Sequence, residues 1–160
     1  MYLNNLPQEE LYYPFLAELA HYEWVELEVE LYKDVMSDTH QNAIFDASEL
    51  LECKLTTKQT TRLLTYTYPV HKISPNYLPL DTTESPTFLV IYRNTQFEVK
   101  FMDANALTIC LLEILSTPTT LVKATTELCE VLHLEFTAEL LSKAKTLCLS
   151  LIHKNILCGV

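Results

Sequence analysis

Cys148, His153 and Cys158 are the one group of soft metal ligands that falls near a single predicted element. Structural zinc sites bring their ligands in pairs two to four residues apart. No Cys-x-x-Cys or Cys-x-x-x-Cys pair occurs here. Cys148 also falls on the inner stripe of a predicted helix, where a thiol packs as a small hydrophobe. A nucleophilic Ser or Cys needs a base in reach and an oxyanion hole. The Gly-x-Ser-x-Gly elbow and the phosphate-cradling loops all require glycine. The sole glycine is Gly159. Cys110 and Cys129 fall on apolar stripes, and Cys53 lies on a strand-like segment; all three read as packing. Glu18, Glu23, Glu26 and Glu30 share one predicted helix. Carboxylates on helices can hold two irons, but only together with Glu-x-x-His pairs on facing helices, and no such pair is expected here. The acidic row therefore reads as a solvated face. Glu23 lies closest to the apolar stripe, beside Trp24, and wants a cation such as Arg62 or Arg93. The expectation is a chain that is not an enzyme and holds no metal or cofactor.

Charge narrows the partners. Twenty-one acidic residues stand against 11 basic ones, a net charge of -10 over 160 residues. A duplex binder needs a basic footprint, and anionic membranes repel such a chain. Nucleic acid is disfavoured and no membrane contact is expected. Met1 to Gln8 lacks the pattern of a signal peptide, and no apolar run reaches membrane-spanning length. Five cysteines without paired spacing then point to reduced thiols in the cytoplasm.

The elements that would position these residues follow from periodicity. A helix is expected from about Pro14 to Asp34, with Leu16, Ala20, Trp24, Leu27 and Leu31 as its apolar stripe. Asp46 and Glu49 resemble a helix cap. Cys53 to Tyr68 predicts two short strands broken near Thr57 to Thr60. Prolines 69, 75, 79 and 86 punctuate a stiff connection. Phe88–Arg93 and Phe97–Met102 predict a hairpin turning at Asn94, Thr95 and Gln96. Phe97, Val99 and Phe101 would face one side and Glu98 and Lys100 the other, leaving one sheet face wet. The second strand is a candidate free edge for an added peptide strand. Three helices follow: Ala104–Leu115, apolar nearly all round and stopped by Pro118; Thr120–Leu132, with Leu121, Thr125, Leu128, Cys129 and Leu132 as its inner stripe; and Ala138–His153, with Leu140, Leu141, Ala144, Leu147, Cys148, Leu151 and Ile152. A short strand within Ile156–Val160 closes the chain. The class is α+β, with a long N-terminal helical arm and short strands forming a small antiparallel sheet over 1–80. A hairpin plus three-helix, winged-helix-like module spans 81–160, and the two pack as one unit.

Several segments resemble the HvfC-type proteins. Leu19-Ala20-His21-Tyr22-Glu23-Trp24 looks like their Leu-Ala-x-x-Glu-Trp segment. Tyr68-Pro69-Val70-x-x-Ile73 looks like their Tyr-Pro-Val-x-x-Ile motif. Val90-Ile91-Tyr92-Arg93 through Val99-x-Phe101 resembles their Arg-bearing hairpin, and the tail ending Ile156-Leu157-x-Gly159 fits as well. The resemblance runs through nearly the whole chain, in order. Family members were first described as DNA-binding proteins. Some are regarded as partners or chaperones of multinuclear non-heme iron oxidases that modify cysteines in small precursor peptides. The resemblance therefore implies an adaptor for peptide modification, with such an oxidase and a small Cys-containing precursor peptide as partners. It implies that Glu23 and Trp24 anchor the helix, and that Tyr68, Pro69, Val70 and Ile73 fix the chain between halves. It further implies that Tyr92, Arg93, Phe97 and Val99 border the partner surface. Relatives carry a further N-terminal helical domain, and this chain begins where that domain would end. The alternative is a DNA-binding regulator of winged-helix-like type. A third reading takes the 14–34 helix as an oligomerisation surface.

Overall fold

Strand alternation places apolar side chains on both faces of the Phe88–Tyr92 segment, so a sheet built on it must be covered twice. The computed structural model, which describes residues 13–33 and 49–160, has that architecture. Helix α1 (Leu16–Leu31) lies on one face of an antiparallel sheet of strands β2 (Arg62–Tyr66), β3 (Thr87–Arg93) and β4 (Val99–Ala104), in the order β2-β3-β4. Leu64, Tyr66, Leu89 and Ile91 meet Phe15, Val25, Val29 and Val70 in the core under α1. Val90 and Tyr92 point the other way, into a second core with α2 (Ala106–Ile114), α3 (Leu121–Leu132) and α4 (Ala138–His153). The expectation of one wet face fails because β3 is buried on both sides. Leu50 and Leu55 join the second core from the first half of the chain.

The α+β class holds, and both pairs of predicted strands form. Their pairing differs from expectation. β1 (Lys54–Thr57) does not pair with β2; it lies between β5 (Thr119–Thr120) and β6 (Leu157–Gly159) in a second small sheet. Leu55 faces both Thr119 and Gly159. The hairpin expected as a wing of the three-helix module also pairs with β2, so it meets those helices as part of a three-stranded sheet. Residues 58–61 make the switch between sheets, and the Lys58 N–H donates to the Ile156 carbonyl at 2.9 Å.

Side-chain caps start the last three helices. Asn105, Thr120 and Thr137 accept from the N–H groups of Thr108, Lys123 and Leu140, each satisfying an otherwise orphaned donor. The expected stripes of α3 and α4 are the buried ones: Leu121, Thr125, Leu128 and Cys129 on α3, and Ala144, Cys148, Leu151 and Ile152 on α4. Leu107 of α2 is exposed, so that helix is not buried all round. The turns do without glycine. Phe97, His133 and Asn155 take the positive φ values (63°, 53° and 69°) that glycine usually supplies. The Asp46 cap lies outside the described residues; a 3-10 turn spans Glu49–Leu51.

One rotation of α1 is corrected. Trp24, Leu27 and Leu31 are exposed, while Val25 and Val29 are buried with Leu19 and Tyr22 packed beside them. The helix has two apolar faces, and the sheet takes the narrower one.

Candidate functional site

The polar residues under α1 gather along β2. Glu18 accepts from the backbone N–H groups of Thr67 and Tyr68 at 2.9 and 2.8 Å, clamping the chain as it leaves the strand. Arg62 at the other end of β2 donates to Glu28 at 2.8 Å. That hydrogen bond holds the Glu28 carboxyl below its usual range. Between these clamps His21 Nδ1 lies 2.8 Å from the Tyr66 hydroxyl, with the rings edge to face. Burial, then the Glu18 and Tyr22 charges, push the Tyr66 hydroxyl up, so it stays protonated.

A shallow groove of about 350 Å³ opens between α1 and β2, lined by Ala17, Glu18, His21 and residues 63–66. β2 is an edge strand. The Asn94 N–H bonds to the Glu98 carbonyl across the hairpin, so Tyr92 and Lys100 form the next hydrogen-bonded pair. Alternation then assigns Arg62, Leu64 and Tyr66 to the β3 ladder. Leu63 and Thr65 present their N–H and C=O groups outward, above the groove. Among the described residues nothing pairs with that edge.

β4 is the opposite edge, as the sequence suggested, and it carries Lys100 and Asp103, both exposed. Charges and a kinked approach blunt an edge against strand addition. Phe97 supplies the kink, since it sits outside the strand; the turn runs from Asn94 to Glu98 rather than to Gln96. The Asn94 side chain organises it by accepting from the Gln96 and Glu98 N–H groups.

The four residues expected at a partner surface separate. Tyr92 lies in the second core and Val99 packs under α1. Arg93 is only 7% exposed; its Nη1 donates to the Tyr32 carbonyl at 2.8 Å, and the Asn155 amide donates to the Arg93 carbonyl at 2.9 Å. Phe97 alone projects, 72% exposed, with the Arg93 guanidinium 5.5 Å from its ring centre. Glu23 is exposed rather than half-buried, and neither Arg62 nor Arg93 pairs with it. Trp24 is exposed too, so the burial expected of an anchor is absent. Val70 and Pro69 are buried, and Tyr68 and Ile73 pack against the core under α1.

Cys110 and Cys148 are not activated thiols. Burial pushes Cys148 up to about 12. Burial and then Glu113 and Glu127 raise Cys110. A nucleophilic cysteine requires the opposite shift. Glu18–His21 and Glu130–His133 do have the Glu-x-x-His spacing. Glu18 and His21 are engaged with β2, however, while Glu130 and His133 are exposed at the end of α3. No group of three potential ligands gathers among the described residues, and no helix there is long and apolar enough to cross a membrane.

His71 contributes a pH dependence. Burial lowers its pKa, and Asp103, 3.2 Å away but poorly aligned, only partly opposes that. A histidine depressed in the fold takes up its proton more readily when unfolded, so stability falls as pH drops below about 6.5. His71→Gln is expected to flatten the urea-midpoint profile between about pH 7 and pH 5.5 relative to the unsubstituted chain. Parallel profiles would show that the ring is solvated.

Sequence reading missed the Glu18 clamp and the His21–Tyr66 contact, because both depend on how α1 is rotated over the sheet, and the β2 edge, because it depends on strand order. The chain matches the family model described as HvfC C-terminal domain over residues 59–152. A search of curated proteins found no match.

Proposed function

Because this chain belongs to the family of the HvfC C-terminal domain, we propose that it is a non-catalytic adaptor that presents a precursor peptide to a multinuclear iron oxidase for cysteine modification. The observation that carries the binding part is the edge of β2, unpaired among the described residues, beside a groove. An extended peptide added there would bond to the main chain of Leu63 and Thr65. Its alternate side chains would enter the space between Leu64, Tyr66 and α1. Main-chain pairing suits an adaptor because it reads an extended backbone and leaves the cysteines of the peptide free for the oxidase. The β4 edge is the less receptive of the two, for the reasons of charge and kink given above.

No observation favours the DNA-binding alternative. Lys143 on α4 is paired with Glu139 at 2.7 Å, and the hairpin is built into a sheet with β2 rather than standing as a separate wing.

The test is a native pull-down with the folded chain as bait, followed by hydrogen exchange on the complex. Recovery of an iron oxidase together with a short Cys-containing peptide, and slowed exchange at Leu63 and Thr65 when the peptide is bound, are expected. Recovery of neither partner, or protection confined to β4, would overturn this reading.

A further inference from the structure

The outward face of α1 is a second surface, separate from the β2 groove. Trp24, Leu27 and Leu31 are 61, 50 and 73% exposed. They follow one another at steps of three and four, so they form a ridge along the helix. The opposite face is already buried on the sheet. This ridge therefore adds nothing to the core, and leaving a tryptophan and two leucines contiguous in water is a cost that monomers ordinarily avoid. Tryptophan at the centre of a small apolar patch is also the residue type that dominates binding energy at interfaces.

Charge selects the occupant. Glu23, Glu26 and Glu30 run beside the ridge, again at steps of three and four, and no ion pair engages them among the described residues. Burial, and then Glu23 and Glu30, raise the Glu26 carboxyl, so a cation brought against the row relieves repulsion. A second copy of the chain would do the reverse. A two-fold contact sets the same face against itself, which would add carboxylate to carboxylate in a chain of net charge -10. The backbone behind the ridge is fixed by Glu18 at one end and by Arg93 at the other, so the face is presented preformed.

We propose that this face of α1 docks an amphipathic helical segment of a partner protein, with an apolar ridge flanked by lysine or arginine. Trp24 is the sole tryptophan, so its emission reads occupancy directly. The probe is a synthetic helical peptide with leucines at i, i+3 and i+7 and flanking lysines. Its control carries glutamates in place of the lysines. The lysine peptide is expected to shift Trp24 emission to the blue, with affinity falling about tenfold or more between low salt and about 0.5 M salt. The glutamate peptide should give no shift. Leu27→Ser with Leu31→Ser should abolish the response while far-UV circular dichroism is unchanged. Glu23→Lys with Glu30→Lys should transfer the preference to the glutamate peptide. Equal binding of both peptides, or no shift with either, would overturn the proposal. A blue shift that grows with chain concentration alone, with a doubled mass in solution, would overturn it in favour of a second copy.

Discussion

Arg93→Met is expected to lower folding stability by about 3 kcal/mol, because it leaves a helix-terminal carbonyl without its charged donor. Arg93 is the end residue of β3 and is almost fully buried. Its guanidinium meets the Tyr32 carbonyl where α1 has just ended and the backbone has left helical geometry. A cation there satisfies an acceptor and complements the negative end of the helix dipole. The main-chain carbonyl of the same residue is held by Asn155, just after α4. Arg93 thus joins all three layers, and methionine keeps its bulk while removing every donor. Phe97→Gly provides the contrast. It removes the exposed ring and the cation contact, but it also relieves an αL conformation that a bulky residue adopts at a cost of about 1–2 kcal/mol. Its net effect on stability should stay within about 1 kcal/mol. Urea midpoints for the two variants decide the matter. If Arg93→Met unfolds at the same urea concentration as the unsubstituted chain, Arg93 is a surface residue available to a partner, as the family pattern implied.

Thr65→Pro should weaken peptide binding by about tenfold or more while leaving stability within about 1 kcal/mol. The reason is the parity of the ladder. Thr65 faces Phe88 in register but directs its N–H away from β3. Proline removes that donor and no bond of the existing sheet, which is the one place in a sheet where proline is tolerated. Losing one main-chain hydrogen bond, with its partner on the peptide left unpaired, corresponds to roughly 1–3 kcal/mol, and the middle of that range, about 2 kcal/mol, is roughly thirtyfold in affinity. The peptide recovered with the oxidase is the ligand to titrate. Unchanged affinity in a folded Thr65→Pro chain would mean that the added strand does not lie on β2. An equal loss of affinity and stability would mean that the parity is wrong and Thr65 bonds to β3.

Much of this architecture was legible because local periodicity and tertiary burial agree. α4 repeats apolar residues at helical spacing from Leu140 to Ile152, and its buried face is the one that spacing designates. Phe88 to Arg93 is apolar at nearly every position and forms strand β3 as expected, although its burial on both faces overturns the expectation of one wet face. The break at residues 57–60, the Pro118 stop and the closing strand were all readable from residue type alone.

The position of α1 was not readable, and the candidate site depends on it. The helix carries two apolar rows, Leu16-Ala20-Trp24-Leu27-Leu31 and Leu19-Tyr22-Val25-Val29, and a period of 3.6 fits either. Bulk and polar reach decided between them. The sheet face already projects Leu64, Tyr66, Leu89 and Ile91, so the valines of the second row can approach where Trp24 cannot. Only in that rotation do Glu18 and Glu28 reach the two ends of β2. The sequence by itself determined the class, helices α1 to α4, every described strand except β5 and the absence of glycine-dependent motifs, since each is a property of neighbouring residues. The tertiary structure alone decided which row of α1 faces water, that Arg93 ties layers together, and that β2 lies at a sheet edge. Those depend on long-range pairings, and no local pattern encodes which distant strand or carbonyl a residue will meet.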